Sequence, residues 1–298
     1  MFTGRLALAP VFAVGLLFCS VTTSGSSEET RSPQPPKGSP NGGGAPVAGD
    51  KYTNPQDGSV LVWIPGGEFT MGSNNGDDDE KPPHKVEVKG FWLGMYEVTN
   101  KQYAKFLEAS NGREPWYWDE KGYNDPNQPV VGITWEEASA YCEWAGLGLP
   151  TEAGWEYAAA GGKQFEYPTA TGAITRDLAN YRGVGGKDRW EGPAPVGSFP
   201  PNPFGLFDMA GNAWEYTSTI YKPYPYTADR QNLVQDNREM MVLRGGSWGF
   251  SEPYCRTARR RRFASWLTYD FAGFRVARTG ETSKTETASP APSPRTDK

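Results

Sequence analysis

The stretch from residue 163 to 278 limits the fold more than any other feature, because it carries no sustained 3.6-residue periodicity. It holds glycine- and proline-punctuated loops and short apolar runs such as MMVLRGGSW (240–248) and AGFRVAR (272–278). Loops leave backbone N–H and C=O groups without the ladders that helices and sheets provide. A stretch of this length therefore needs a metal, a disulfide or buried tryptophan to hold its shape. The 298-residue chain has 11 tryptophans and 36 glycines, a composition that suits a loop-rich core.

Upstream the elements are easier to read. LVWIPGGEFTMG (61–72) reads as two short strands around Gly66-Gly67, and HKVEVKGFWLGMYEVT (84–99) alternates as a half-buried strand does. Three helices are expected. The first is capped by Thr99 or Asn100, with Tyr103, Phe106 and Leu107 on one face. The second starts at Thr134, where Glu137 completes a capping box ahead of Ala138, Tyr141, Cys142 and Ala145, and stops near Gly146. The third is capped by Thr151, turns Trp155 and Ala158–Ala159 inward and ends at Gly161-Gly162.

The ends do not belong to the folded unit. Residues 1–19 read as a secretory signal, with an apolar run after Arg5 that is too short to span a bilayer. Cys19 follows Leu16-Leu17-Phe18, similar to a bacterial lipoprotein signal in which the cysteine is acylated, although Phe18 stands where a small residue is usual. Residues 20–50 read as a disordered tether and residues 279–298 as a disordered tail, which leaves 51–278 for one domain. The expected location is outside the cytoplasm, periplasmic or at the cell surface, either free or held by a lipid on Cys19. A net charge of −5 gives no general attraction to nucleic acid.

With three cysteines in the chain, Cys142 and Cys255 are either a disulfide pair or two buried thiols. The one histidine, His84, in an acidic, proline-rich segment, reads as an ordinary loop or strand-edge residue; it is too few for a histidine-rich zinc site and gives no support to Ser-His-Asp catalysis.

WIPGGEFTMGS, YEVTNKQYAKFL, PVVGITWEEASAYCEWAGLGLPTEAGWEYAAAGG, NPFGLFDMAGNAWEYTS, VLRGGSW and AGFRVAR occur in this order across about residues 58–278. By these motifs the chain resembles the formylglycine-generating enzyme, or sulfatase-modifying factor, family. The resemblance implies an α+β fold, the family's variant of the C-type lectin fold, with low secondary-structure content. The segments LANYRGVGGKDRW and DMAGNAWE offer hard oxygen ligands in glycine-containing turns, a weak signal by itself. The family likeness turns it into two structural calcium sites. The first would use the side chains of Asn180 and Asp188 and the carbonyls of Tyr181 and Trp190. The second would use the Asp208 and Glu215 carboxylates with the Gly211 and Ala213 carbonyls.

The family's oxidase converts a sulfatase cysteine to formylglycine, and the resemblance implies a copper(I) ion held by two cysteines five residues apart after the Gly-Gly-Ser motif. Soft copper(I) favours such a thiolate pair. Counting from Ser247, the first position is Phe250 and the second Cys255; anchoring on Arg256-x-x-x-Arg260 matches neither. Cys255 and Ser247 are thus weak catalytic candidates. Histidine-bound iron, used by other branches, is excluded by the single histidine.

The same loop region carries Trp248, Phe250, Tyr254, Trp266, Tyr269 and Phe271, with Arg256 and Arg260 among them. Aromatic faces and guanidinium forks suit a protein, peptide or glycan ligand. For Arg256 and Arg260, internal salt bridges are an equal reading; Arg259, Arg261 and Arg262 are expected to face solvent. The loop is also similar to the variable proteins of diversity-generating retroelements, which display variable residues for binding on this fold. The expectation is therefore an exported, calcium-stabilised binding or accessory module using the 248–271 loop. The alternative is an active formylglycine-generating oxidase.

Overall fold

The three helices begin where their caps dictate. A computed structural model describes residues 45–225 and 240–279. In it α1 (Asn100–Ser110) is capped by Thr99, whose side chain accepts from Gln102 N while Gln102 reaches back to Thr99 N. Helix α2 (Trp135–Trp144) carries the expected Thr134–Glu137 box, and α3 (Glu152–Ala160) starts at Thr151 and ends on left-handed Gly161. Every residue of α3 is buried, because Glu-Ala-Gly-Trp-Glu-Tyr-Ala-Ala-Ala offers small side chains on all sides. The two glutamates are the exception to that apolar surface, and they need partners.

Among the described residues ten short strands form three sheets. β1 (Lys51–Thr53), β2 (Val60–Ile64), β5 (Phe91–Gly94) and β10 (Ala277–Thr279) make the first, in the order β1-β2-β5-β10. β3 (Gly67–Met71) pairs only with β4 (His84–Val88). The third sheet runs β8-β7-β6-β9, from β6 (Trp214–Ile220), β7 (Met240–Arg244), β8 (Arg260–Ala264) and β9 (Ala272–Gly273), with β6 and β9 parallel.

The strands flanking Gly66-Gly67 therefore do not pair with each other. Likewise the alternating run 84–99 breaks at Lys89-Gly90 into two strands of different sheets. Alternation fixes a strand's faces but says nothing about its partner.

Two large apolar clusters fill the interior. One gathers Tyr103, Phe106, Tyr141, Trp214 and Phe274, and the other Ile64, Met71, Leu93, Trp155 and Leu206. Trp155 and Trp214 are fully buried. Charge also lies inside: Arg244, Arg260 and Arg275 are buried, each on a buried carboxylate. Cys142 and Cys255 are both buried and unpaired, in different clusters, so tryptophan packing and ion pairs hold the loops where a disulfide was an option.

Residues 1–44 and 280–298, with Cys19, lie outside the described residues. Among the described residues no helix is long and apolar enough to cross a membrane.

Candidate functional site

The loop after β7 turns on Gly245 and Gly246, both at positive φ (98° and 79°). A side chain at Gly246 would run into Cys255: its Cβ would lie 2.7 Å from Cys255 Sγ. The loop thus folds tightly back over the cysteine. Burial, and then the neighbouring Glu252 carboxylate, push the Cys255 thiol up to about 12, so at neutral pH it is a protonated, enclosed thiol. Cys142 is pushed up too, by burial and by Asp57, from within the other cluster.

Phe250 fills the other expected thiolate position. Its ring packs edge-on against Trp214, Tyr254 and Phe271 at centroid distances of 5.8, 5.2 and 5.0 Å. One soft donor, enclosed, beside a phenyl ring does not fit a two-thiolate copper(I) centre. Ser247 is fully buried and its hydroxyl has no partner among the described residues, which leaves it no access to a substrate.

Arg260 and Arg256, for which internal salt bridges were an equal reading, both turn inward. Arg260 is buried, its Nε and Nη2 donate to Glu152 at 2.9 Å each, and its Nη1 reaches the carbonyls of Asp79 and Lys222. Arg256 makes a two-pronged pair with buried Glu80, at 2.8 and 2.7 Å. Arg259, expected in solvent, bridges to Asp77 and stacks on Tyr254. The cause is the partner helix and loop: a desolvated carboxylate on α3 or at Glu80 requires a guanidinium. Of the arginine run only Arg262 is exposed, and Arg261 lies half-buried over Phe250 and Phe263.

What remains outward is aromatic and acidic. Trp266 is 52% exposed. Trp248 is half-buried, donates from Nε1 to the Asp270 carbonyl (3.3 Å) and meets Tyr123 edge-on at 6.1 Å. Tyr123 in turn donates to Asp270 Oδ2 (3.3 Å) and packs on Tyr117. Asp270 sits above its ordinary value through burial. Tyr254 and Tyr269 are half-buried and lean inward, Tyr269 stacked on Phe271. Tyr117 and Tyr123 were not legible from spacing, since Tyr123 meets Trp248 and Asp270, and Tyr117 meets Tyr123, from a segment far upstream of the loop; Trp116 in the same segment is 54% exposed.

The two expected calcium segments are joined. Gly211 pairs with Asn180 in a parallel bridge so close that a Cβ would lie 2.0 Å from the Asn180 carbonyl oxygen. Asn212 N donates to that same oxygen. Around the second segment Glu97, Asp208 and Glu215 face one cation, Arg275.

Glu97 binds the Asn212 amide and Ala213 N; Glu215 takes Arg275 and Trp155 Nε1; Asp208 Oδ2 accepts from Gly197 N at 2.6 Å. Asp208 Oδ1 is buried with no partner. Desolvation lifts Asp208 to about 6 and holds Glu97 well above its ordinary value, where Asp208 and Glu215 push it further. Fully ionised, three carboxylates and one guanidinium would leave two negative charges, the complement of one divalent ion. An orphaned, buried oxygen beside that charge fits a hard cation. Glu97 and Arg275 lie far from this segment in sequence, and nothing in its spacing announced them.

The first segment differs. Asn180 Oδ1 is likewise buried without a partner, but Tyr181 O and Asp188 Oδ2 already accept from the Arg176 guanidinium. Trp190 contributes its N–H to Asp188 Oδ1. As it stands this set does not fit a metal. Among the described residues no three His, Cys, Asp or Glu side chains form a metal cluster by themselves, so any cation here also leans on amide and carbonyl oxygens.

Residues 47–280 match the family described as Sulfatase-modifying factor enzyme 1-like domain. Formylglycine-generating enzyme of Mus musculus is 31% identical over 278 residues, covering 73% of this chain and 74% of its own length. A protein named serine/threonine-protein kinase pkn1, from Chlamydia caviae, is 35% identical over 242 residues, and the chain spans only 38% of its length. PvdO from Pseudomonas aeruginosa superimposes over 79% of this chain and 100% of its own, with a TM-score of 0.67 at 28% identity. Treponema denticola variable protein 1 shares the fold, with a TM-score of 0.62 at 22% identity over 77% of this chain and 98% of its own. With the motifs in order, the helices on their expected caps and the family match across nearly all the described residues, this chain belongs to the sulfatase-modifying factor family.

Proposed function

We propose that this protein is an exported, calcium-stabilised binding or accessory module that recognises a protein, peptide or glycan ligand through the 248–271 loop. The observation that carries the reading is Phe250, wedged among Trp214, Tyr254 and Phe271 at the first of the two positions where the oxidase needs thiolates, with an enclosed, protonated Cys255 at the second. The recognition surface is then Trp266 and Trp248 with Tyr123, Trp116 and Asp270. With Arg256 and Arg260 turned inward, it favours sugars and uncharged or basic peptide groups over anions. The kinase-named relative adds that this type of domain forms one part of a longer protein.

Calcium is proposed for the second segment only, with Asp208 Oδ1 as its carboxylate ligand and the Glu97 and Glu215 charges, whose oxygens are already hydrogen-bonded, as its surroundings, where it would cancel the surplus negative charge. The test of recognition is a glycan and peptide array probed with wild type, Trp266→Ala and Trp248→Phe. Ligands bound by wild type and lost in Trp266→Ala, at unchanged melting temperature, support the loop; identical profiles for all three proteins overturn it.

The second reading, a formylglycine-generating oxidase, is favoured by the extent of likeness to the mouse enzyme. It would need copper to bind through Cys255 with a sulfur from the substrate.

A further inference from the structure

The loop between Arg176 and Trp190 carries its own positive charge. Arg176 Nη1 faces three oxygens, the carbonyls of Tyr181 and Gly183 (the latter at 2.6 Å) and Asp188 Oδ2 at 2.9 Å, while Nη2 reaches the Arg182 carbonyl. Two N–H bonds cannot serve three acceptors, so this cup has the oxygen density of a cation site, and a guanidinium fills it. The Tyr181 ring lies under the guanidinium at 3.7 Å, and the Asp188 side chain is fully buried.

Charge separates this cup from the one at Asp208. Here one buried carboxylate meets one guanidinium and the sum is zero; there three carboxylates meet one guanidinium and two negative charges remain. A calcium ion entering the Arg176 cup would have to expel the arginine and would find one carboxylate, and calcium affinity falls with the number of charged ligands.

We infer that in this chain Arg176 is the resident cation of the 176–190 loop, standing in one of the two places where the family likeness implies calcium, so that the domain takes one divalent ion instead of two. The consequence reaches the recognition loop: Arg182 donates from its backbone N to Phe250 O (2.8 Å) and from Nε to Gly249 O (2.9 Å). The support under Phe250 is then independent of calcium. The inference rests on the calcium reading of Asp208 for the count in the wild type, but not for the change on removing Arg176.

The experiment is equilibrium dialysis of the purified chain against calcium, with bound metal counted by mass spectrometry, for wild type, Arg176→Ala, Arg176→Gln and Asp208→Asn. The inference expects one ion in wild type and one more in each Arg176 variant. It expects melting temperatures of those variants to fall in metal-free buffer and recover with calcium. Two ions in wild type overturn it, and this count needs no variant to fold. Folded Arg176 variants that hold no more calcium than wild type also overturn it. Zero ions in wild type with one in the Arg176 variants sustains it and instead removes the calcium reading at Asp208. Loss of the wild-type ion in Asp208→Asn places that ion in the second segment.

Discussion

In metal-free buffer the stability of this protein is expected to fall with rising pH, and on the proposed calcium reading added calcium abolishes the fall. Asp208 is buried and its carboxyl is lifted from 3.8 to about 6, chiefly by desolvation and against the pull of Gly197 N–H and Arg275. A carboxyl raised in the folded state holds its proton more tightly there than in the unfolded chain. Its contribution is therefore complete below about pH 4 and is lost as pH climbs through 6. Two units at about 1.4 kcal/mol each give about 3 kcal/mol lost between pH 4 and 8. For a domain of this size that is a fall of roughly 6–12 °C in melting temperature.

Glu97 shifts the same way and adds to the slope. If calcium binds there as proposed, it would supply the missing countercharge and hold the carboxylates ionised, so the loss would disappear. The assay is calorimetry at pH 5, 6, 7 and 8 on metal-stripped protein with and without calcium, alongside Asp208→Asn. Calcium should raise the melting temperature strongly at pH 8 and little at pH 5, and the metal-stripped Asp208→Asn protein should outlast metal-stripped wild type at pH 8. A metal-stripped protein that melts at the same temperature as the calcium-loaded one at pH 8 refutes the reasoning.

Other expectations follow from the buried network. Arg244→Met leaves Glu152 paired with Arg260 but takes the guanidinium from buried Glu156, and should lower stability by about 3–5 kcal/mol in chemical unfolding; a change below about 1 kcal/mol would show the pair to be dispensable. Trp155→Ala removes a fully buried indole and its bond to Glu215 (2.7 Å), and should cost about 3–5 kcal/mol by the same assay. Cys142 and Cys255 should resist alkylation in the native state and react only in denaturant, as mass spectrometry would read; rapid native modification of Cys255 would mean that the loop opens.

The helices were legible because their signals are local: Thr134 with Glu137, and Thr151 with Gly161, lie within one element. The strands were legible one at a time, but their partners were not. Backbone alternation in 84–99 gives faces without saying that β4 joins β3 while β5 joins β2 and β10. The arginine run was legible only in part: Arg259, Arg261 and Arg262 read as solvent-facing and Arg260 as either internal or exposed, because Glu152, which α3 brings to Arg260 from more than a hundred positions away, and Asp77, which pairs with Arg259, are distant in sequence. Asp208 was found through its segment, yet the charge surplus on which the calcium proposal rests depends on Glu97 and Arg275, contributed by distant loop positions. Arg176 was invisible as a cation because only the folded loop curls Tyr181, Gly183 and Asp188 around it.

The central claim is that this cleft lacks the sulfur pair the oxidase needs. It is tested most directly by incubating the copper-treated protein in air with a peptide carrying Cys-x-Pro-x-Arg and reading the cysteine by mass spectrometry. An active family oxidase serves as the positive control. The account predicts an unchanged peptide at every copper concentration; an aldehyde that forms with wild type and vanishes in Cys255→Ser would contradict it.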